Sequence, residues 1–118
     1  MSLNKYAQTA LIAFDYMDAG VNAEQAWEKA SCQVFKKGSA SQKKGCPKNA
    51  FLGLFSNSPS AKSSKNGTYA RNALAILRDN PNKSYSVNEL WAAVIPEPKV
   101  HNSQMDVVLA LWNQKRIK

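Results

Sequence analysis

The stretch Gly45-Cys46-Pro47-Lys48-Asn49-Ala50-Phe51-Leu52-Gly53-Leu54-Phe55 decides how the rest of the chain must fold. Cys46 suits a cap position and Pro47 the first position of a helix, where a missing N–H costs nothing. From Pro47 to Phe55 the side chains of Phe51, Leu52, Leu54 and Phe55 cover most of a helix circumference. Such a helix has to be buried on more than one side. Gly53 in its middle costs about 1 kcal/mol against Ala. The simplest reason for a glycine there is close approach of a neighbouring backbone. The expectation is a central helix, with the stripes of the first, second and last helices as its neighbours.

Around this helix lies the longest one-signed block of the chain. Lys36 to Arg71 holds eight basic residues, Lys36, Lys37, Lys43, Lys44, Lys48, Lys62, Lys65 and Arg71, and no Asp or Glu. The whole chain carries a net charge of +8. All of the excess charge is therefore local to this block.

Working outward, the other helices announce themselves by period and punctuation. Ala7, Ala10, Leu11, Phe14 and Met17 share one face of a helix over 4–19, which Gly20 ends. Asp15 and Asp18 fall in its last turn, against the dipole, and call for a basic neighbour; the 36–71 block is one candidate. Asn22 with Gln25 opens a second helix, whose stripe is Ala23, Ala26, Trp27, Ala30 and Val34 and which ends near Phe35. Asn57 to Lys65 has the composition of a loop. A fourth helix starts near Asn66 or Thr68 and stops at Asn80-Pro81, with Tyr69, Ala70, Ala73, Leu74 and Leu77 in period. Ser86 and Glu89 form a capping box for a fifth helix, ended by Pro96. A sixth starts near Ser103, with Met105, Val108, Leu109 and Trp112 inward and Gln104, Val107 and Asn113 outward. The tail from Gln114 either frays or adds a short strand. Alternating patterns are too short to give other strands.

The result is an all-α class, a compact single domain of about six short helices with room for a short C-terminal strand. A length of 118 residues fits one domain with an adequate core. No apolar run approaches the roughly 20 residues of a membrane span. With no signal-peptide pattern at residues 1–20, the reading is cytoplasmic, with no membrane partner. Cys32 and Cys46 are then reduced thiols. Their spacing, with His101 as the one histidine, matches no zinc-ligand pattern, so no metal and no cofactor is expected.

GCPKNAFLGLF, TYARNAL and HNSQMDVVLALW together resemble a family of small bacterial proteins of unknown function. The resemblance covers roughly Lys5 to Ile117, with GCPK-x-AFLGL as its most specific motif. It implies a single small domain and transfers no catalytic residues. Ser84 to Lys118 also resembles the end of a winged helix-turn-helix domain, in which the second helix enters the DNA major groove. The charge fits poorly, since that helix carries Asp106 and no Lys or Arg before Lys115.

Three function classes follow. The first is non-specific binding of nucleic acid or another polyanion by the eight basic residues. Lys43, Lys44 and Lys48 would gather at a helix N-terminus, with hydroxyls from Ser39 and Ser41. Phosphate contacts would dominate, with Tyr69 the one base-stacking aromatic of the block. Against this stands a basic loop that serves only solubility. The second class is a homodimer or protein-partner module, if Trp27, Trp91 and Trp112 exceed what one core needs. The third is a cysteine enzyme. Cys46, at a helix start among lysines, is the candidate reactive thiol, with His101 as a conceivable partner. No phosphate loop or paired-carboxylate motif accompanies it, so the expectation is a binding protein and not an enzyme.

Overall fold

The structure is a computed structural model, described here for residues 4–95 and 103–117. Seven helices make up the described residues, and no strand occurs among them: α1 (Lys5–Asp18), α2 (Ala23–Val34), α3 (Gly45–Phe55), α4 (Pro59–Ser63), α5 (Lys65–Asp79), α6 (Val87–Val94) and α7 (Gln104–Asn113). The all-α class stands. The seventh helix is the single turn α4, which forms inside the segment whose composition pointed to a loop. It begins at Pro59, a residue that fits a first helical turn.

Local chemistry sets the helix starts. Asn4, Asn22 and Ser64 each accept a hydrogen bond from the N–H three residues on, at Ala7, Gln25 and Gly67. Ser86 and Glu89 close the expected capping box, each side chain bonding the other's N–H at 3.1 Å. α1 ends at Gly20, whose φ of 104° brings the Val21 N–H to the Tyr16 carbonyl. α7 ends the same way, but with a lysine in the left-handed position. Lys115 has φ 58°, and the Arg116 N–H reaches back to the Leu111 carbonyl at 2.8 Å. The turn leaves Ile117 packed on the core, so the described tail is neither frayed nor a strand.

The helices enclose two apolar clusters. The first joins α1 and α2 through Ala10, Ala13, Ala26, Trp27 and Ala30, with Phe51 and Leu52 of α3. Trp27 stacks its ring 5.3 Å from Phe51, and its indole N–H finds no partner among the described residues. The second cluster joins α5, α6 and α7 through Ala73, Leu77, Leu90, Trp91, Met105 and Val108. α3 lies between the two, with Phe51 fully buried in the first, Ala50 in the second, and Leu54 against both. The all-round apolar sequence of α3 is thus spent as its period required.

The expected neighbours α7 and α2 pack against α3, but neither is its main partner. Its principal partner is α5, followed by α7, α4 and α2; α1 reaches it through the Phe14–Phe55 ring pair. Gly53 is the reason. A Cβ on Gly53 would sit 2.2 Å from the Cα of Gly67, so the two backbones touch where α3 crosses α5. Arg71 fastens the crossing. Its guanidinium donates to the Gly53 carbonyl at 3.2 Å, to the Lys62 carbonyl and to Thr68 Oγ1.

α7 corrects a further expectation. Gln104 and Val107, expected at the surface, are buried, and seven of the ten residues of α7 are enclosed. The Gln104 amide donates to Asn66 on α5 at 2.9 Å. α7 packs against α1, α3, α5 and α6, and its residues do not divide into the inward and outward sets expected. Nor does Asp15 pair with the basic block: among the described residues its ion pair is with Arg116, at 4.0 Å, a weak exposed contact.

Candidate functional site

The loop from Lys36 to Lys44 is built around one buried amide. Gln42 is 6% exposed. Its amide N–H donates to Ser31 Oγ at 2.9 Å and to a Glu28 carboxylate oxygen at 3.4 Å, both on α2. Its carbonyl oxygen accepts the Gly38 N–H at 3.3 Å. Gly38 holds φ 82° in the turn closed by the Ser39 N–H on the Lys36 carbonyl. A positive φ at the third residue of a turn is what glycine permits. Ser39 Oγ in turn accepts the Gln42 N–H. The loop is therefore ordered from within, and its lysines are displayed at both ends of a pinned segment.

Lys36, Lys37 and Lys43 are exposed, while Lys44 and Lys48 are half-buried. Lys44 is half-buried because it lies over an aromatic ring, its Nζ 5.6 Å from the Tyr6 centroid. Tyr6, at the start of α1, meets Phe35, at the end of α2, with centroids 4.8 Å apart. The Tyr6 hydroxyl donates to the Ser41 carbonyl at 3.0 Å and ties the ring to the loop. Lys5 Nζ lies 5.9 Å from the Phe35 centroid. Lys5 and Lys44 thus bracket one half-buried aromatic pair, and Lys36, Lys37, Lys43 and Lys48 lie near it along the chain, on the loop or at the start of α3. None of them has a carboxylate within ion-pair distance among the described residues.

The eight basic residues of the 36–71 block do not form one surface. Lys36, Lys37, Lys43, Lys44 and Lys48 flank the start of α3. Lys62, Lys65 and Arg71 gather where α4 and α5 meet Gly53, eight residues further along α3, roughly 12 Å by helical rise. There Arg71 bonds backbone carbonyls.

α3 begins at Gly45, two residues before the expected start, with Lys44 as N-cap and no side-chain cap bond. Pro47 consequently occupies the third helical position, still in the first turn, and removes one of the amide donors an anion could use there. The charge of this face comes from lysine side chains more than from the helix end. Tyr69, expected as a stacking residue, packs edge-on against Trp91 at 5.5 Å. The aromatics beside the lysines are instead Tyr6 and Phe35. Tyr6 fell outside the inward stripe of α1, next to Lys5, and that adjacency was its one signal in the sequence.

Both cysteines are free and half-buried. Cys32 Sγ lies 4.0 Å from a Glu28 oxygen, and Cys46 stands in the first turn of α3. The Cys46–His101 pairing falls on a residue outside those described. Among the described residues no three His, Cys, Asp or Glu side chains group as a metal site. No described helix is long and apolar enough to cross a membrane. Of the three tryptophans, Trp27 and Trp91 are core residues and Trp112 is half-buried against the second cluster.

A family model described as a family of unknown function (DUF6979) matches residues 3–118. The chain belongs to this family. No curated protein and no solved structure matches it. Family membership spans the whole described fold, the pinned loop and the Gly53–Gly67 crossing included, and it assigns no activity to either.

Proposed function

We propose that the protein binds polyanions, nucleic acid foremost, through the face that carries Lys5, Lys36, Lys37, Lys43, Lys44 and Lys48. One observation carries this reading: six lysines with no carboxylate partner among the described residues lie on or near a loop that Gln42 already holds in place. Pinning the loop before binding reduces the ordering entropy that association would otherwise cost. Cations without carboxylate partners are free to replace the counterions of a phosphate backbone. A lone basic loop serving solubility would need no buried amide to hold it. The contacts are to phosphates and read little sequence. A cytoplasmic setting, rich in nucleic acid and reducing toward Cys32 and Cys46, suits this role.

The test is a titration of duplex DNA and heparin at rising salt. If about four lysines contact phosphates, log K falls against log salt with a slope near −3.6 for the duplex. Charge reversal at the exposed Lys36, Lys37 and Lys43 weakens binding to every sequence alike. Reversal of Lys62 and Lys65, at the other end of α3, has a much smaller effect. No binding at low salt, or binding indifferent to salt, refutes the proposal.

A further inference from the structure

We infer that the favoured partner of this face is single-stranded nucleic acid, whose unpaired bases stack on the Tyr6–Phe35 pair. The inference rests on the polyanion-binding reading and narrows it to one class of partner. Two half-buried rings with centroids 4.8 Å apart lie at the surface, bracketed by the ammonium groups of Lys5 and Lys44. The rings come from different helices. The Tyr6 hydroxyl, bonded to the Ser41 carbonyl, holds its ring in place independently of any ligand. Each ammonium rests near a ring at a distance typical of an exposed cation–π contact.

A single strand offers both groups a better partner at once. The ammonium can move from the ring to a phosphate, a full negative charge in place of a ring quadrupole. The ring face it leaves can then receive a base, and base–aromatic stacking is the stronger contact. In a duplex the bases are stacked among themselves and the outside presents phosphate and sugar. The lysines still find phosphates there, but the rings find no base face. The same face therefore binds an unpaired strand more tightly than a duplex of equal charge, with little preference among bases, since each has a π-face. Lysines interleaved with rings would serve single-stranded DNA and RNA alike.

The experiment compares a 30-nucleotide oligothymidine strand, a 15-base-pair duplex of the same total charge and heparin by fluorescence anisotropy at one low salt concentration. Wild-type protein is expected to favour the single strand by about tenfold or more over the duplex, the size of one stacked base. Tyr6→Leu removes that preference and lowers heparin affinity much less, while Tyr6→Phe, which keeps the ring and loses only the bond to Ser41, retains most of the preference. Because Tyr6 is half-buried, a second reading is taken on the wild type, where folding is not in question. Adding the oligothymidine must shift the Tyr6 and Phe35 ring protons in NMR spectra, and heparin must shift them less. Equal affinity for strand and duplex, or unmoved ring protons on strand binding, overturns the inference and leaves the polyanion reading standing. Failure to bind any of the three overturns both.

Discussion

Gly53→Ala puts the architecture to its sharpest test, because intrinsic helix propensity and tertiary packing pull in opposite directions there. Propensity alone makes Ala better than Gly in a helix interior by about 1 kcal/mol. Packing opposes it. The new Cβ would lie 2.2 Å from the Gly67 Cα and 2.8 Å from the Gly67 carbonyl carbon and oxygen. An ordinary carbon–carbon contact needs about 3.5 Å, so α3 and α5 must part by more than ~1 Å. Both obstacles are backbone, so no rotamer change relieves them. Overpacking of this kind costs about 1–3 kcal/mol. Moving Gly53 also loosens its carbonyl from the Arg71 guanidinium, a charge-assisted bond worth about 1.5–3 kcal/mol. Subtracting the propensity gain leaves a net loss of about 1.5–5 kcal/mol, the upper end only if the Arg71 bond is lost outright. With an unfolding entropy near 2.1 cal/mol/K per residue, that lowers Tm by roughly 6–20 °C for a chain of this length. Thermal melts by circular dichroism measure it directly. Gly45→Ala in the first turn of the same helix is the control, since its Cβ meets only Asn49 Nδ2, at 3.7 Å. It should leave Tm unchanged or raise it slightly. A Gly53→Ala protein as stable as the wild type would show that α3 and α5 do not cross in backbone contact.

Phe51→Ala, which empties a fully buried site between Trp27 and Phe55, should cost about 3–5 kcal/mol in denaturant melts; a loss under about 1 kcal/mol would place α3 at the surface. Gln42→Ala removes the amide that ties Ser31 Oγ to the Gly38 N–H, so residues 38–43 should exchange amide hydrogen much faster than in the wild type while the helices keep their protection. Unchanged exchange would mean that the loop is ordered by something other than this amide. Glu89 is held below the usual glutamate range, first by the Ser86 backbone N–H and then by the Ser86 hydroxyl, against a smaller opposing effect of desolvation. With the folded value depressed, its contribution to stability is present above the unfolded pKa of about 4.3 and is lost as pH falls through the folded value. Carboxyl NMR should find Glu89 titrating below an unstructured glutamate, and Ser86→Ala should raise it.

The division of the basic block bears on how such a protein would meet a ligand. Five of its lysines stand around the loop and the start of α3, joined there by Lys5 from α1. The other three cations serve the α3–α4–α5 joint or lie beside it, and Arg71 is spent on carbonyls. A linear count of charge therefore overstates the face by three residues and misses one.

The sequence by itself determined six of the seven helices among the described residues and several of their limits, but not the single turn α4 or the early start of α3. Asn4, Asn22, Gly20 and the Ser86–Glu89 box act within four residues of themselves, so the chain carries their signals locally. It also determined that α3 is central, because an all-round apolar helix has only one stable place to be. It showed that Gly53 admits a backbone, but not which one. Only the tertiary structure decided that. Gly67 offers the matching absence of a Cβ fourteen positions away, and a pairing of two absences leaves no mark in hydrophobic period. The candidate face has the same character. Tyr6, Phe35 and Lys44 belong to α1, the end of α2 and the N-cap of α3, and nothing in their spacing brings them together. They meet because α1 and α2 pack side by side and Gln42 draws the following loop back onto α2. Local hydrogen bonds and periods are written in the chain; which surfaces meet is settled by how the buried faces fit one another in space.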